Sequence, residues 1–499
     1  MENTYPASVD DIEKHLKSVS TRIFGNRFKS EQTLYEYLIE FLLVFVSAKK
    51  SDRKTGKMQF HDDTSGKLEY WIEPRMGLRR FIFYDKTKKN KFVPVDEKAY
   101  REIIEMLENK IETDSNEEKK EIVEAIQDLL HGYAVVIKSR NWCAQNVMPL
   151  CPEMVFCDAM PKQKYREKLK WEDDKKKIDS SFDFDKRNFL ARGGEVYYLH
   201  ILQALENNEK DKKELEKLLS DLLGNGENKL SKICCFVQKN WEERLGLEKE
   251  NVTQRMSLSF IPKDAYIECG KYSVSELKNY LSCELPMINR IEVLAKGIMF
   301  QIMRMLSWRV EQYLGIEKKN WIVDMKGGTT NTVKKIAAEN FRNISEDFST
   351  ALNKSARQID VEEKEYMKKL KKAKNSSLDI FRIKGKEIQC IIPSNGPLER
   401  FSLSEDIIRF LVLALIPPKQ KMTLDMFLDK VYEHYGLVIG PEQYKKSLKS
   451  EQNLEISLAN SFIENMVAFQ AFLKATGFLK ELSDATSIVV NPYNRVMEE

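Results

Sequence analysis

The stretch NWCAQNVMPLCPEMVFCDAMP, residues 141–161, sets Cys143, Cys151 and Cys157 among three methionines and three prolines. Thiols in that number can hold zinc or carry redox chemistry. The spacing argues against both. Seven and five residues separate the three cysteines, whereas a tight thiolate pair needs two. Cys234 or Cys235 is the nearest source of a fourth thiolate. A catalytic zinc site usually takes histidine. The five histidines, His15, His61, His131, His200 and His434, stand far apart, with no pair at metal-binding spacing. The stretch therefore reads as a buried, proline-directed connector, since free Cys and Met are common in cores.

Other chemistries are weaker still. No GxxxxGK[ST] phosphate loop exists. Gly327 and Gly328 in DMKGGTTNTVKK read as a loop, with Thr329, Thr330 or Thr332 capping the helix that follows. A two-metal nuclease built on a sheet needs an acid and then an acid-x-Lys on adjacent strands. Asp62, Asp63, Glu69 and Asp85 lie in the right region, but Thr87 stands where that lysine belongs. A divergent nuclease stays an alternative; no catalytic residue, metal or cofactor is assigned.

Arg192, Gly193 and Gly194 in NFLARGGEVYYLH form a packing or partner contact. Two glycines within a helical pattern each cost roughly 1 kcal/mol against alanine, so a close crossing or a helix boundary should require them.

The elements that must position these residues are mostly helical. Apolar spacing predicts helices over DDIEKHLKSVSTRIF and over SEQTLYEYLIEFLLVFVSA, the second capped by Ser30. Its apolar run is too short to span a bilayer and shares a helix with Glu36 and Glu40. KMQFHDD, KLEYWIE and RRFIFYDK predict a small antiparallel meander within residues 57–87. The longest helix should run from Pro286 to Gly315, apolar nearly all round. NSSLDIFRIKGKEIQCIIPSNGP predicts a hairpin turning at KGKE. The terminal order of helices followed by the strands GFLKEL and SIVV is that of a winged helix.

At 499 residues the chain is long enough for several domains. The expected fold is mainly α and multidomain, with a small antiparallel β insertion near the N-terminus and a C-terminal winged helix. The expected units are a helical domain with a meander (1–140), an irregular connector and charged loop (141–187), a central helical domain (188–375), a β-hairpin linker (376–401) and the winged helix (402–499). Lys plus Arg is 81 and Asp plus Glu 77, so bulk charge does not point to nucleic acid. Any DNA contact must be local. Lys445, Lys446 and Lys449, with Lys474 and Lys480 near the wing, are the candidates. The third helix of the winged unit has no arginine and exposes few donors, which favours protein docking over groove reading. The opening residues carry acids where a secretory leader carries cations, and eight irregularly spaced cysteines suit a reducing compartment, so a cytoplasmic protein is expected.

RNFLARGGEVYYLH and ECGKYSVSELKNYLSCELPMINRIEVLAKGIMFQIMRMLSWRV resemble the middle of accessory subunits from bacterial DNA-restriction and anti-phage systems, of the DptG type in phosphorothioation-dependent restriction. The resemblance covers about a third of the chain and carries no catalytic residue. It implies a non-catalytic subunit beside a separate ATPase or nuclease, with other subunits and double-stranded DNA as partners and no membrane. A stand-alone winged-helix regulator is a further alternative.

Overall fold

A computed structural model describes residues 4–7, 17–48, 58–73, 75–84, 94–135, 146–156, 190, 192–224, 228–246, 254–325, 331–359, 362–448, 458–481 and 487–496. Cys143, Cys157, Lys449, the charged segment 162–187 and the glycine loop at 327–328 lie outside them.

The fold is mainly helical with small sheets. β1 (Thr4–Tyr5) precedes α1 (Val19–Phe24) and α2 (Leu34–Phe45). Thr33, not Ser30, caps α2. Its side chain accepts the Glu36 N–H while Glu36 returns a bond to the Thr33 N–H. All but one of the α2 residues are buried, as a helix apolar on every side requires.

Among the described residues of 57–87 the expected three-stranded meander does not form. β2 (Glu69–Ile72) is a strand, but RRFIFY falls in α3 (Met76–Phe83). Leu78, Phe81 and Ile82 fall at i, i+3 and i+4, a helical spacing that a short aromatic run can hide, and all three are buried. Gly77 lies so near Trp241 that a Cβ there would sit 2.4 Å from the ring. α4 (Pro94–Lys110) and α5 (Asn116–His131) follow. β3 (Ala134–Val135) pairs with β4 (Asn146–Val147), and the connector stays buried through Val147, Leu150, Cys151, Met154 and Phe156.

α6 (Gly193–Ala204), α7 (Glu209–Leu222) and α8 (Lys229–Leu245) come next. The central region is less uniformly helical than its periodicity suggests. β5 (Gln254–Ser257) pairs antiparallel with β2, and β6 (Ile261–Pro262) with β1. α9 (Ile267–Leu281) leads to α10 (Met287–Leu314), which starts after Pro286 and stops at Gly315 with φ 74°. α10 is buried over most of its length and packs on α1 and α2. β7 (Trp321–Ile322), α11 (Asn331–Arg357) and α12 (Glu363–Asn375) follow.

The expected turn at KGKE is helical instead, within α13 (Leu378–Glu387). Gly385 is there for contact rather than for turning: a Cβ would meet Ile391 at 2.4 Å. A two-residue ladder joins β8 (Ile391–Ile392) to β9 (Arg400–Phe401). Then come α14 (Glu405–Leu415), β10 (Lys421–Thr423), α15 (Leu424–Tyr435), β11 (Leu437–Val438), α16 (Pro441–Ser447), α17 (Phe462–Ala475), β12 (Leu479–Glu481) and β13 (Ser487–Val490). The last sheet is antiparallel with strand order β10-β13-β12. β11 runs parallel to the distant β7. One hydrophobic cluster reaches from Tyr5 to Val489, and α14 packs on both α9 and α10. Among the described residues no helix is long and apolar enough to cross a membrane.

Candidate functional site

Arg192, Gly193 and Gly194 open α6 rather than interrupt it. The first N–H groups of a helix lack internal partners and attract negative charge. Here the carboxyl oxygens of Glu40 on α2 accept from them. Its Oε1 accepts the Arg192 N–H at 2.7 Å and its Oε2 the Gly194 N–H at 2.5 Å. Gln32 Nε2 donates to Oε1 at 2.9 Å. Burial pushes the Glu40 carboxyl up to about 8, and these three donors act in the opposite direction. A Cβ on Gly194 would fall 2.2 Å from the Tyr37 carbonyl oxygen, and one on Gly193 2.7 Å from the Phe28 and Tyr37 rings. The glycines let α6 touch α2.

The Arg192 side chain closes the joint. Its Nε donates to Glu195 Oε1 at 2.6 Å, and its Nη2 to the Ser257 carbonyl. Glu195 also accepts from the Tyr70 hydroxyl at 2.6 Å and from the Ser259 N–H at 2.9 Å. Both carboxylates are saturated by the chain's own donors. The arrangement is a structural joint, with no open valence aimed at a ligand.

The lysines expected on DNA are not brought together as free cations. Lys445 pairs with Glu442 at 2.7 Å, Lys446 with Asp429 at 2.6 Å and Lys474 with Glu481 at 2.8 Å. Lys480 is exposed on β12. Asn465, one of the polar residues of the third helix, points inward. Its amide donates to the Val323 and Ile439 carbonyls at 2.9 and 2.8 Å, and its oxygen accepts the Met325 N–H at 2.7 Å. The outer face of α17 instead carries Ile463 and Val467, 47 % and 53 % exposed.

The connector brings Cys151 beside Cys234 of α8, while Cys235 Sγ lies 3.3 Å from Glu153 Oε1. Among the described residues no group of three or more His, Cys, Asp or Glu is arranged to hold a metal. Of the acids weighed for a nuclease, Asp62 pairs with Lys212 at 2.8 Å and Glu69 with Arg255 at 2.8 Å, and Asp85 lies outside the described residues. His61 sits between the Tyr198 hydroxyl and the Glu69 carbonyl, and His434 contacts Glu276 at 2.7 Å.

One unusual charge site escaped the motif reading. Arg304 of α10 is 2 % exposed, and its guanidinium carbon lies 4.4 Å from the ring centres of both Trp308 and Trp321. None of its three guanidinium nitrogens completes a hydrogen bond among the described residues. Lys318 Nζ sits 3.0 Å from the centre of the Trp308 ring. Burial lowers Arg304 to about 10 and Lys318 to about 8. Burial raises Glu311, one turn beyond Trp308, to about 7, with Arg304 and the Lys319 N–H opposing. Aromatic faces thus hold a cation that has no direct carboxylate contact, an arrangement worth about 2 kcal/mol or more when desolvated. The i, i+4 spacing of Arg304 and Trp308 is visible in the sequence; Trp321 joins them only through β7.

No protein-family model matches the chain, and neither curated proteins nor solved structures show a detectable match to it.

Proposed function

We propose that the chain is a non-catalytic subunit of a DNA-acting assembly of the bacterial restriction or anti-phage kind. It docks on a separate ATPase or nuclease through a C-terminal winged helix. The observation that carries this reading is the order α14-β10-α15-β11-α16-α17-β12-β13, with β10 lying beside β13 in the last sheet. Helices followed by a terminal antiparallel hairpin are what a winged helix would need. A groove-reading third helix presents donors to base edges and phosphates. On α17 that face carries Ile463 and Val467, and the neighbouring Lys445, Lys446 and Lys474 are neutralised by acids. An apolar outer face suits a protein partner better than a duplex. The resemblance of the ARGGEVYYLH region to DptG-type accessory subunits points the same way.

The test is co-expression with any ATPase or nuclease encoded beside this gene, followed by size-exclusion chromatography; a gene with no such neighbour counts against the reading. Co-elution that is lost in I463D/V467D, with melting temperature unchanged, supports the reading. Co-elution unaffected by that change overturns the docking face. DNA cleavage by the purified chain with Mg²⁺, abolished by mutation of one acid, overturns the non-catalytic assignment.

A further inference from the structure

Among the described residues, α12 carries a run of lysines for which few acids are at hand. From Tyr366 to Leu378 the chain reads YMKKLKKAKNSSL, with no acid. Lys364, Lys368, Lys371 and Lys372 are all exposed, and helical spacing sets them along one face. The opposite side of α12 is occupied: Leu370 and Ala373 are buried, and the Tyr366 hydroxyl donates to Asn353 on α11 at 3.2 Å.

A second element extends the stripe. Ser20 of α1 meets Ser376 at 2.7 Å and fixes the end of α12 against α1. α1 stops at Gly25, whose φ of 86° and close approach to the Phe260 carbonyl turn the following loop. That loop carries exposed Arg27 and Lys29, near enough to α12 for their charges to be felt at Lys372. Arg27, then burial, then Lys29 and Lys368 hold the Lys372 ammonium below its ordinary value. Among the described residues no carboxylate pairs with Arg27, Lys364, Lys368, Lys371 or Lys372; the nearby Glu365 is taken by Lys369 at 3.3 Å.

We propose that the α12 stripe, extended by Arg27, binds the phosphate backbone of duplex DNA. From Lys364 to Lys372 the helix rises about 12 Å, a length over which a duplex presents about seven phosphate charges. The cations are exposed along a line and do not converge on a pocket, which fits an extended polyanion rather than a small anion. An anionic membrane fits less well, because the apolar side that such a helix would insert is already packed inside the protein. The contact is independent of base sequence, since no base-reading side chain accompanies it. The inference stands on these cations and not on the docking reading, so either can fail alone.

Fluorescence anisotropy with a labelled duplex of about 30 base pairs tests it, titrated from about 50 to about 200 mM salt. Wild-type protein is expected to bind with affinity that falls steeply with salt. R27A/K368A/K372A should bind at least about tenfold more weakly, with a log–log salt slope shallower by about 3. K445A/K446A/K474A should stay within about twofold of wild type, since those lysines are already paired. No wild-type binding at the lowest salt, or equal binding by the α12 variant, overturns the proposal. So does equally tight binding to phosphatidylserine vesicles that compete with the duplex. If the triple variant melts below wild type, the single K372E change, at an exposed position, replaces it and should weaken duplex binding in the same direction.

Discussion

Glu40 Oε2 accepts the Gly194 N–H at 2.5 Å, so a carboxylate of α2 caps the start of α6 across more than 150 residues of sequence. The contact exists only because residue 194 has no side chain. In Gly194→Ala the new Cβ would stand 2.2 Å from a backbone oxygen and 2.6 Å from Glu40 Cβ. Neither atom is the mobile end of a side chain, so the helices must part. A loss of about 3 kcal/mol is expected in urea unfolding. Gly66→Ala, with nothing within 4 Å of its Cβ, should be neutral and serves as the control.

The sequence is read well where its signals are local. α10 runs from Met287 to Leu314 as its flanking Pro286 and Gly315 indicate, and the connector at 146–156 is buried as its Cys, Met and Pro content suggests. Errors arise where a distant partner decides. RRFIFY fits a strand until Trp241 is packed over Gly77, and KGKE fits a turn until Ile391 lies against Gly385. β2 pairs with β5 and β7 with β11, segments separated by more than 100 residues, which no local period records. The joint at Arg192 was legible as two glycines that needed a reason, but its reason, Glu40, lies in another element. The pairing of two candidate lysines has a related cause: Asp429 reaches Lys446 and Glu481 reaches Lys474 only in the fold.

Stability should fall as pH rises through the neutral range. Burial keeps Glu311 protonated to about 7, while an unfolded chain ionises it near 4.5. Between those values the unfolded state releases a proton that the folded state retains, so folding weakens, by at most about 3 kcal/mol from this group. Glu40, raised to about 8, has the same sign and carries the effect higher. His200, which burial lowers to about 3, acts oppositely and destabilises as pH falls below 6.5. Urea midpoints at about pH 5 and about pH 8 check this, and E311Q should narrow the difference between them. An unchanged pH dependence in E311Q would reject the assignment.

Arg304 and Glu311 should behave as a coupled pair. Arg304→Met removes a cation from between two indoles and the charge that opposes the burial shift of Glu311. Losing the desolvated cation–aromatic contacts should cost about 2 kcal/mol. The double variant R304M/E311L removes both charges and should be more stable than R304M alone. Additive losses in this cycle would show that the two do not interact. Emission from Trp308 and Trp321 should change in R304M, because the guanidinium lies 4.4 Å from each ring centre.

Asn465 should matter to folding and not to DNA. It is fully buried and bonds to three backbone groups drawn from two other segments, at Val323, Met325 and Ile439. Asn465→Ala strands these groups in the interior, at a cost of about 3 kcal/mol. Melting temperature should drop while duplex affinity of the folded fraction stays level. A selective loss of binding with an unchanged melting temperature would restore the groove-facing role.

The connector cysteines should be unreactive in the native protein. The Cys234 contact and then burial raise the Cys151 thiol, and burial followed by Glu153 pushes half-buried Cys235 up to about 11. Burial raises Cys269 to about 12 and Cys283 to about 11, and raises Cys390 as well. The thiolate is the reacting species, so near pH 8 only about one Cys235 side chain in a thousand is poised to react. A brief iodoacetamide pulse followed by peptide mass spectrometry should leave the peptides of Cys151, Cys235, Cys269, Cys283 and Cys390 unmodified. The same pulse in denaturant should label all eight cysteines of the chain. Rapid native labelling at Cys151 or Cys235 would mean a lowered thiol there and would return the connector to the list of reactive sites.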